Sequence, residues 1–195
     1  MKQLVLRIRR KQAGVAAVEF SLVAIIFLTL VFATLELARV EFLLNTLQEV
    51  TRRAAAAAAN TNFRDATAMQ EVQAKAVFRS NAGPLIIGDP VKADNVKIDY
   101  LSIAEATLEL KHVSALPACP ARNRLNCVSD PYADNCIRFV RARVCESIDG
   151  DGACERLSYL KLFPFLDLAG MKLPAAETIV PAGSLGYAVG AMPCP

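Results

Sequence analysis

The sequence lacks the residues and motifs on which most enzymes and metal sites depend. It has a single histidine, His112, and no Cys-x-x-Cys pair, glycine-rich phosphate loop, Gly-x-Ser-x-Gly or His-Glu-x-x-His. A zinc site needs several cysteine or histidine ligands at short spacing, and catalysis needs groups that converge on a substrate. We therefore predict no catalytic residue, no resident metal and a protein that is not an enzyme. His112 shares the parity of Leu108 and Leu110 on a possible strand, so we expect a partly buried or edge residue rather than a base.

Acidic residues are absent from the first 14 positions, although these contain five of the 22 basic residues. The remaining chain has 17 basic against 19 acidic residues, which argues against a nucleic-acid-binding surface. Positive charge that precedes a first membrane segment stays in the cytoplasm, so the chain beyond such a segment should be exported. The five basic residues are Lys2, Arg7, Arg9, Arg10 and Lys11.

Charge is also nearly absent from residues 15–35, where Glu19 is the only ionisable side chain. About 20 residues of helix cross the hydrocarbon core of a bilayer, so this stretch predicts one membrane-spanning helix. A carboxylate at membrane depth is costly and by default marks a functional position with a partner. Glu19 is therefore the first candidate functional residue.

Beyond the span the apolar residues continue on one arc of a helix, with polar residues such as Gln48 and Arg52 opposite. Six consecutive alanines at 54–59 favour the helix to about Asn60. An amphipathic rod must bury its apolar arc, so we expect subunit contact there. Glu36 interrupts the arc, and either extends to the membrane boundary or pairs with another helix. The contact candidates are Glu36, Leu37, Val40, Leu44 and Leu47, and Leu43 and Val50 share their arc.

Six cysteines lie beyond the span, in the part that we expect to be exported. An even number of cysteines in an oxidising compartment predicts up to three disulfides, and the sequence leaves their pairing open. A zinc site is the weaker interpretation because the ligand spacing is wrong. The cysteines are Cys119, Cys127, Cys136, Cys145, Cys154 and Cys194.

The pattern of the exported part predicts one further helix and several strands. Asn62 with Asp65 marks the start of a helix that should end near Ser80, and alternating apolar residues predict strands at 96–100, 108–111 and 136–145. From Leu160 onward, prolines and glycines break the chain into short pieces. The predicted fold class is α+β: a long N-terminal transmembrane and amphipathic helix followed by a small disulfide-stapled antiparallel-sheet domain.

The sequence Asp-Gly-Asp-Gly at 149–152 lies between Cys145 and Cys154. Two aspartates one residue apart can begin a calcium loop, which would place calcium at Asp149 and Asp151. The full twelve-residue ligand pattern is missing, so a plain turn is the stronger interpretation. We predict no other cofactor.

The beginning of the span resembles the processing site of type IVb prepilins. A short basic leader ends at Gly14, and Val-Ala-Ala-Val-Glu-Phe follows at 15–20. In that family a dedicated membrane peptidase cuts after the glycine, which leaves a glutamate at the fifth mature position and an aromatic residue at the sixth. The spacing in this sequence matches. The resemblance implies that Gly14, Val15, Glu19 and Phe20 are the processing residues.

Residues 10–60 are similar, more specifically, to the TadE-like pilins of tight adherence pilus systems. The similarity rests on the Val-Glu-Phe start, Glu-Leu-Ala-Arg at 36–39, a polar amphipathic turn and an Arg-Arg-Ala-Ala run at 52–55. It implies a leader at 1–14, a helical rod at 15–60 and an exported domain at 61–195. The protein would cross the inner membrane once, with its C-terminal domain in the periplasm or, in an assembled pilus, outside the cell.

The implied function is that of a minor pilin or pseudopilin, cut by prepilin peptidase, that takes part in priming, tip formation or assembly of a pilus for surface attachment. The implied partners are the prepilin peptidase, other TadE-like subunits, the major pilin, the inner-membrane platform and the membrane itself. The alternative is an uncleaved single-pass membrane protein whose stapled domain binds a periplasmic ligand. Cleavage after Gly14 distinguishes the two.

Overall fold

A computed structural model describes residues 2–86, 88–150, 152–165, 170–190 and 194, with side chains from residue 14 onward. It confirms the α+β class: one long N-terminal helix, α1 (Lys2–Ala58), precedes a small antiparallel sheet. The other elements are α2 (Ala66–Ala76), a 3-10 turn (Ala93–Asn95), β1 (Val96–Ile103), β2 (Leu110–His112), α3 (Pro120–Ser129), β3 (Phe139–Val144) and β4 (Glu177–Pro181).

The chain forms two compact units, and helix α1 contributes to both. The first unit comprises Met1–Glu41 and Lys161–Leu168. The second comprises Phe42–Leu160 and Ala169–Pro195, and it contains the sheet and the shorter helices.

The four strands pair in the order β2-β1-β3-β4, and every pair is antiparallel. The central pair aligns Asp99 with Arg141, and the Asp99 carboxylate lies 3.1 Å from Arg141 and 2.6 Å from Arg143. Cross-strand pairs of opposite charge stabilise one face of a sheet. The opposite face presents Tyr100 and Val140 to the core.

The core of the second unit forms where the end of helix α1 meets the sheet. Four of the six alanines at 54–59 are buried, because a methyl side chain lets neighbouring groups approach the helix closely. Burial raises the pKa of the Tyr100 hydroxyl, whose ring packs 5.6 Å from that of Phe63. The buried cluster contains Ala58, Ala59, Phe63, Val72, Tyr100, Val113, Ile137, Val140 and Leu185.

A segment near the C-terminus closes the end of helix α1. The carbonyl of Ala59, which has no partner inside a helix that ends there, accepts hydrogen bonds from the amides of Gly183 at 3.0 Å and Leu185 at 2.9 Å. A Cβ on Gly183 would lie 2.9 Å from the backbone oxygen of Ala59 itself, a contact too close for any other residue, so glycine permits this approach. The segment after residue 180 thus supplies hydrogen-bond donors to the C-terminal end of helix α1.

Three disulfides use all six cysteines. Cys127 pairs with Cys136 and Cys145 with Cys154, each across a sequence separation of 9. Cys119 pairs with Cys194 across a separation of 75. The two short bridges close local loops, whereas the third ties the start of α3 to the end of the chain.

Helix α2 begins just after the predicted start signal of Asn62 with Asp65, and it ends earlier than expected. Asp65 is its N-cap and accepts a hydrogen bond from the amide of Ala68 at 3.0 Å. The helix ends at Ala76 rather than near Ser80, because Phe78 adopts a left-handed conformation with φ of 59°.

The strand expected at 108–111 is shorter and shifted. Leu108 is an exposed turn residue with φ of 58°, and strand β2 comprises only Leu110–His112 at the edge of the sheet. The shared strand parity that we predicted for Leu108 with Leu110 is therefore wrong, since Leu108 lies outside the strand, and both side chains are exposed. His112 is the edge residue that the sequence analysis expected.

Candidate functional site

Most polar side chains in the apolar part of helix α1 form hydrogen bonds with the backbone of the same helix. By length and composition, Gly14–Ala58 is the one described helix that could cross a membrane. Within residues 15–35 the hydroxyls of Ser21, Thr29 and Thr34 each donate to a backbone carbonyl three or four residues earlier, at 2.7 Å. Such bonds remove unsatisfied donors, as hydrocarbon requires. Glu19 is then the only polar side chain in this stretch that is left for an outside partner.

Glu19 and the other predicted processing residues are exposed along the helix. Val15 and Glu19 lie four residues apart, so they are neighbours on one helix face. Among the described side chains, none forms a hydrogen bond or ion pair with the Glu19 carboxylate. Gly14, Val15, Glu19 and Phe20 are each exposed, and their role in processing stays a prediction.

Gly14 has no conformational or packing role in the helix. It lies within α1, and a Cβ added to it would meet no neighbouring atom within 4 Å. Glycine in a helix interior is about 1 kcal/mol less favourable than alanine. The structure gives no reason inside the chain for this residue.

Glu36 occupies neither of the positions that we expected. It does not extend to solvent, since it is 2% exposed. Its two carboxylate oxygens accept from the amide of Leu162 at 3.1 and 3.2 Å, and Arg39 lies 3.9 Å away. Phe32 lies one helical turn before Glu36, and the centre of its ring is 4.7 Å from that of Phe163. Glu36 therefore holds a loop of its own unit, and the sequence carried no signal for this contact.

The apolar arc beyond the span is divided between the interior and the surface. Leu47 is 1% exposed, and Leu43 and Val50 are also buried within the chain. Leu37 is 63% exposed. Val40 and Leu44 are half-buried. Leu47 is therefore committed to the fold of its own chain, and contact of the arc with another subunit stays a prediction for the exposed members.

Because Leu47 is buried and Leu37 is exposed, we expect that truncating each to alanine has a different effect on stability. Leu47→Ala should lower the free energy of unfolding by about 3 kcal/mol, because it opens a cavity in a closed core. Leu37→Ala should change it by less than about 0.5 kcal/mol, because the side chain is exposed. Urea unfolding of the full chain in mild detergent, followed by near-ultraviolet circular dichroism, measures both. Equal losses would contradict the division.

The polar side of the amphipathic turns carries a compact charge cluster. The Glu49 carboxylate accepts from Arg52 at 2.9 Å and from Arg53 at 2.6 Å. Hydrogen bonds from Arg52 and then Arg53 lower the pKa of Glu49 to about 2. The guanidinium of Arg53 also lies 4.3 Å from the centre of the Phe78 ring. This side of the helix therefore remains charged at any physiological pH.

Asp149 and Gly152 are joined by a backbone hydrogen bond between the bonded cysteines. The amide of Gly152 donates to the carbonyl of Asp149 at 2.8 Å, and the Cys145–Cys154 disulfide closes the base. Asp151 lies outside the described residues, so calcium binding by Asp149 and Asp151 stays a prediction. In the described part of the chain, no group of three or more histidine, cysteine, aspartate or glutamate side chains could hold a metal ion.

Helix α3 and strand β4 were not predicted from the sequence. Helix α3 begins with Pro120 directly after Cys119, a pattern that favours a helix start. Strand β4 contains the β-branched run Thr178, Ile179 and Val180, and such residues favour a strand. Both signals were present but short. The Thr178 hydroxyl lies 2.8 Å from that of Thr51, so β4 contacts helix α1 directly.

Comparison with known proteins identifies one part of the chain. No curated protein and no solved structure matches it. Residues 14–56 match the family model described as TadE-like protein, and the match begins at Gly14 and includes Glu19, Glu36 and the amphipathic turns. This part of the N-terminal helix is thus similar to TadE-like proteins, and the match does not extend beyond residue 56.

Proposed function

We propose that this protein is a minor pilin or pseudopilin of a tight adherence pilus, cut by prepilin peptidase between Gly14 and Val15. In this proposal it is inserted in the inner membrane with its leader in the cytoplasm and its stapled domain in the periplasm. It takes part in priming, tip formation or assembly of the fibre, without catalysis of its own. Its partners are other TadE-like subunits, the major pilin and the assembly platform.

The observation that carries the proposal is the isolation of Glu19. The three hydroxyls of the span are satisfied by their own helix, while the Glu19 carboxylate is exposed without a described partner. An unpaired carboxylate in hydrocarbon costs several kcal/mol, so a partner from outside the helix is expected. The TadE-like match and the open surroundings of Gly14 support the same assignment.

Cleavage would supply the missing partner. Cutting after Gly14 creates a positive amine at Val15, one helical turn before Glu19. The carboxylate can then pair with its own terminal amine or with that of a neighbouring subunit. Because two charges in hydrocarbon offset their loss of hydration only when they are in close contact, an intersubunit pair would fix the register between packed helices.

Intact mass and N-terminal sequencing of the membrane-extracted protein test the proposal. With an active prepilin peptidase we expect a terminus at Val15, and a mass lower by about two units for each disulfide than after reduction. Gly14→Leu should block cleavage, while the matched change Ala24→Leu in the same helix should not. An intact leader on the unaltered chain beside an active peptidase would contradict the proposal and leave the uncleaved, membrane-anchored binding domain.

A further inference from the structure

The loop at 161–165, Lys-Leu-Phe-Pro-Phe, exposes large apolar side chains in a segment where polar residues are usual. Leu162 is 60% exposed and Phe165 is 57% exposed. Single exposed apolar residues are ordinary, but two in one short loop beside a membrane-length helix form a patch. This patch is not part of the TadE-like match, which ends at residue 56.

The loop is attached to helix α1 at two points one turn apart. The Phe32 ring contacts the rings of Phe163 at 4.7 Å and Phe165 at 5.8 Å. The buried Glu36 carboxylate accepts from the backbone amide of Leu162. These contacts lie within one compact unit, so they fix the height of the loop along the helix.

That height is the end of the apolar span. Phe32 lies three residues before the last apolar residue of the span, Leu35, which at 1.5 Å per residue is about 4.5 Å inside its end. A side chain in contact with Phe32 lies at nearly the same depth. If the span crosses a bilayer, Phe165 beside Phe32 and Leu162 beside Glu36 therefore lie at the boundary between acyl chains and headgroups, into which the Phe and Leu side chains of interfacial segments insert.

We propose that the loop at 161–165 is a second membrane contact, which inserts Leu162 and Phe165 into the outer boundary of the bilayer beside the span exit. Its partner is the lipid itself. Buried Glu36 is the positioning residue, because it satisfies the loop amide that would otherwise lose its water at this depth. The inference rests on the membrane span, which the proposed function and its alternative share, and not on cleavage or pilus assembly.

Single tryptophan probes test this, because the chain contains no tryptophan. The uncleaved full chain is reconstituted at low protein-to-lipid ratio in phosphatidylcholine and phosphatidylglycerol vesicles that carry bromine either near the headgroup or near the bilayer centre. Phe165→Trp keeps an aromatic ring against Phe32, and Leu162→Trp keeps the backbone bond to Glu36. Ile25→Trp is the control within the span, and Val128→Trp, 84% exposed on α3, is the control for an exported surface.

We expect both loop probes to emit at shorter wavelength than the Val128→Trp probe and to lose most fluorescence to bromine near the headgroup. The Ile25→Trp probe should lose most to bromine near the centre, and the Val128→Trp probe should respond only to aqueous acrylamide.

Three results would overturn the inference. If the loop probes respond only to acrylamide while bromine quenches the Ile25→Trp probe, the span crosses the bilayer but the loop does not contact it. Loop probes shielded from both quenchers would mean that protein, such as a second copy, covers the patch. An unquenched Ile25→Trp probe would remove the membrane span as well.

Discussion

Replacing Glu19 with alanine is expected to leave cleavage after Gly14 intact and to remove most of the protein from assembled pili. The carboxylate is the one polar group of residues 15–35 that the helix does not satisfy itself. Its removal makes the isolated helix more apolar, so membrane insertion should not suffer. What is lost is the charge pair with a terminal amine that would set the register between subunits. Immunoblots of sheared pili against the membrane fraction measure the ratio of incorporated to retained protein.

Two matched variants separate charge from position in this experiment. Ser21→Ala removes a polar group two residues away, whose hydroxyl is already bonded to the Ala17 carbonyl at 2.7 Å, so incorporation should not change. Glu19→Gln keeps the size of the side chain without its charge, and should be as defective as Glu19→Ala. Normal incorporation of both Glu19 variants would rule out the pairing role.

The second large effect concerns the Cys119–Cys194 disulfide. Its removal by Cys119→Ala with Cys194→Ala should lower the free energy of unfolding by about 4 kcal/mol, because a cross-link over a long loop restricts the unfolded chain most. The separation of 75 residues is far larger than the 9 residues of either other bridge. Urea unfolding of the oxidised full chain in detergent gives the difference.

The double variant Cys127→Ala with Cys136→Ala provides the comparison. Loop closure over 9 residues predicts a loss of about 2.5 kcal/mol, smaller than for the long bridge. Both pairs lie in the same unit, so the detergent and the membrane segment act on them equally. An equal or reversed order would show that the long bridge does not act through the unfolded chain.

Much of the fold could be predicted because its signals are local. The long helix follows from a run without proline, the start of α2 from Asn62 with Asp65, and strand β1 from the alternation at 96–100. Strand β2 was misplaced because Leu108 and Leu110 continue an alternating pattern across a turn, and alternation does not reveal a left-handed residue. Strand β4 was missed because five residues in a proline-rich region give too short a pattern.

The candidate site residues also divide into those that local sequence reveals and those that depend on distant contacts. Gly14 and Glu19 could be found from sequence, because charge within an apolar run and spacing from a basic leader are properties of neighbouring residues. The role of Glu36 could not, because its partner Leu162 is 126 residues away and contributes only a backbone amide. No side-chain pattern marks a backbone donor.

The sequence by itself determined that an apolar span at 15–35 contains a single carboxylate, five residues after a glycine, and that the cysteines are even in number. Only the tertiary structure decided which residues of helix α1 beyond position 42 are buried in the second unit, which cysteines pair, and which loop lies beside the span exit. The physical reason is separation along the chain. Contacts such as Thr51 with Thr178 depend on how the whole second unit closes, and periodicity describes only residues that are near in sequence.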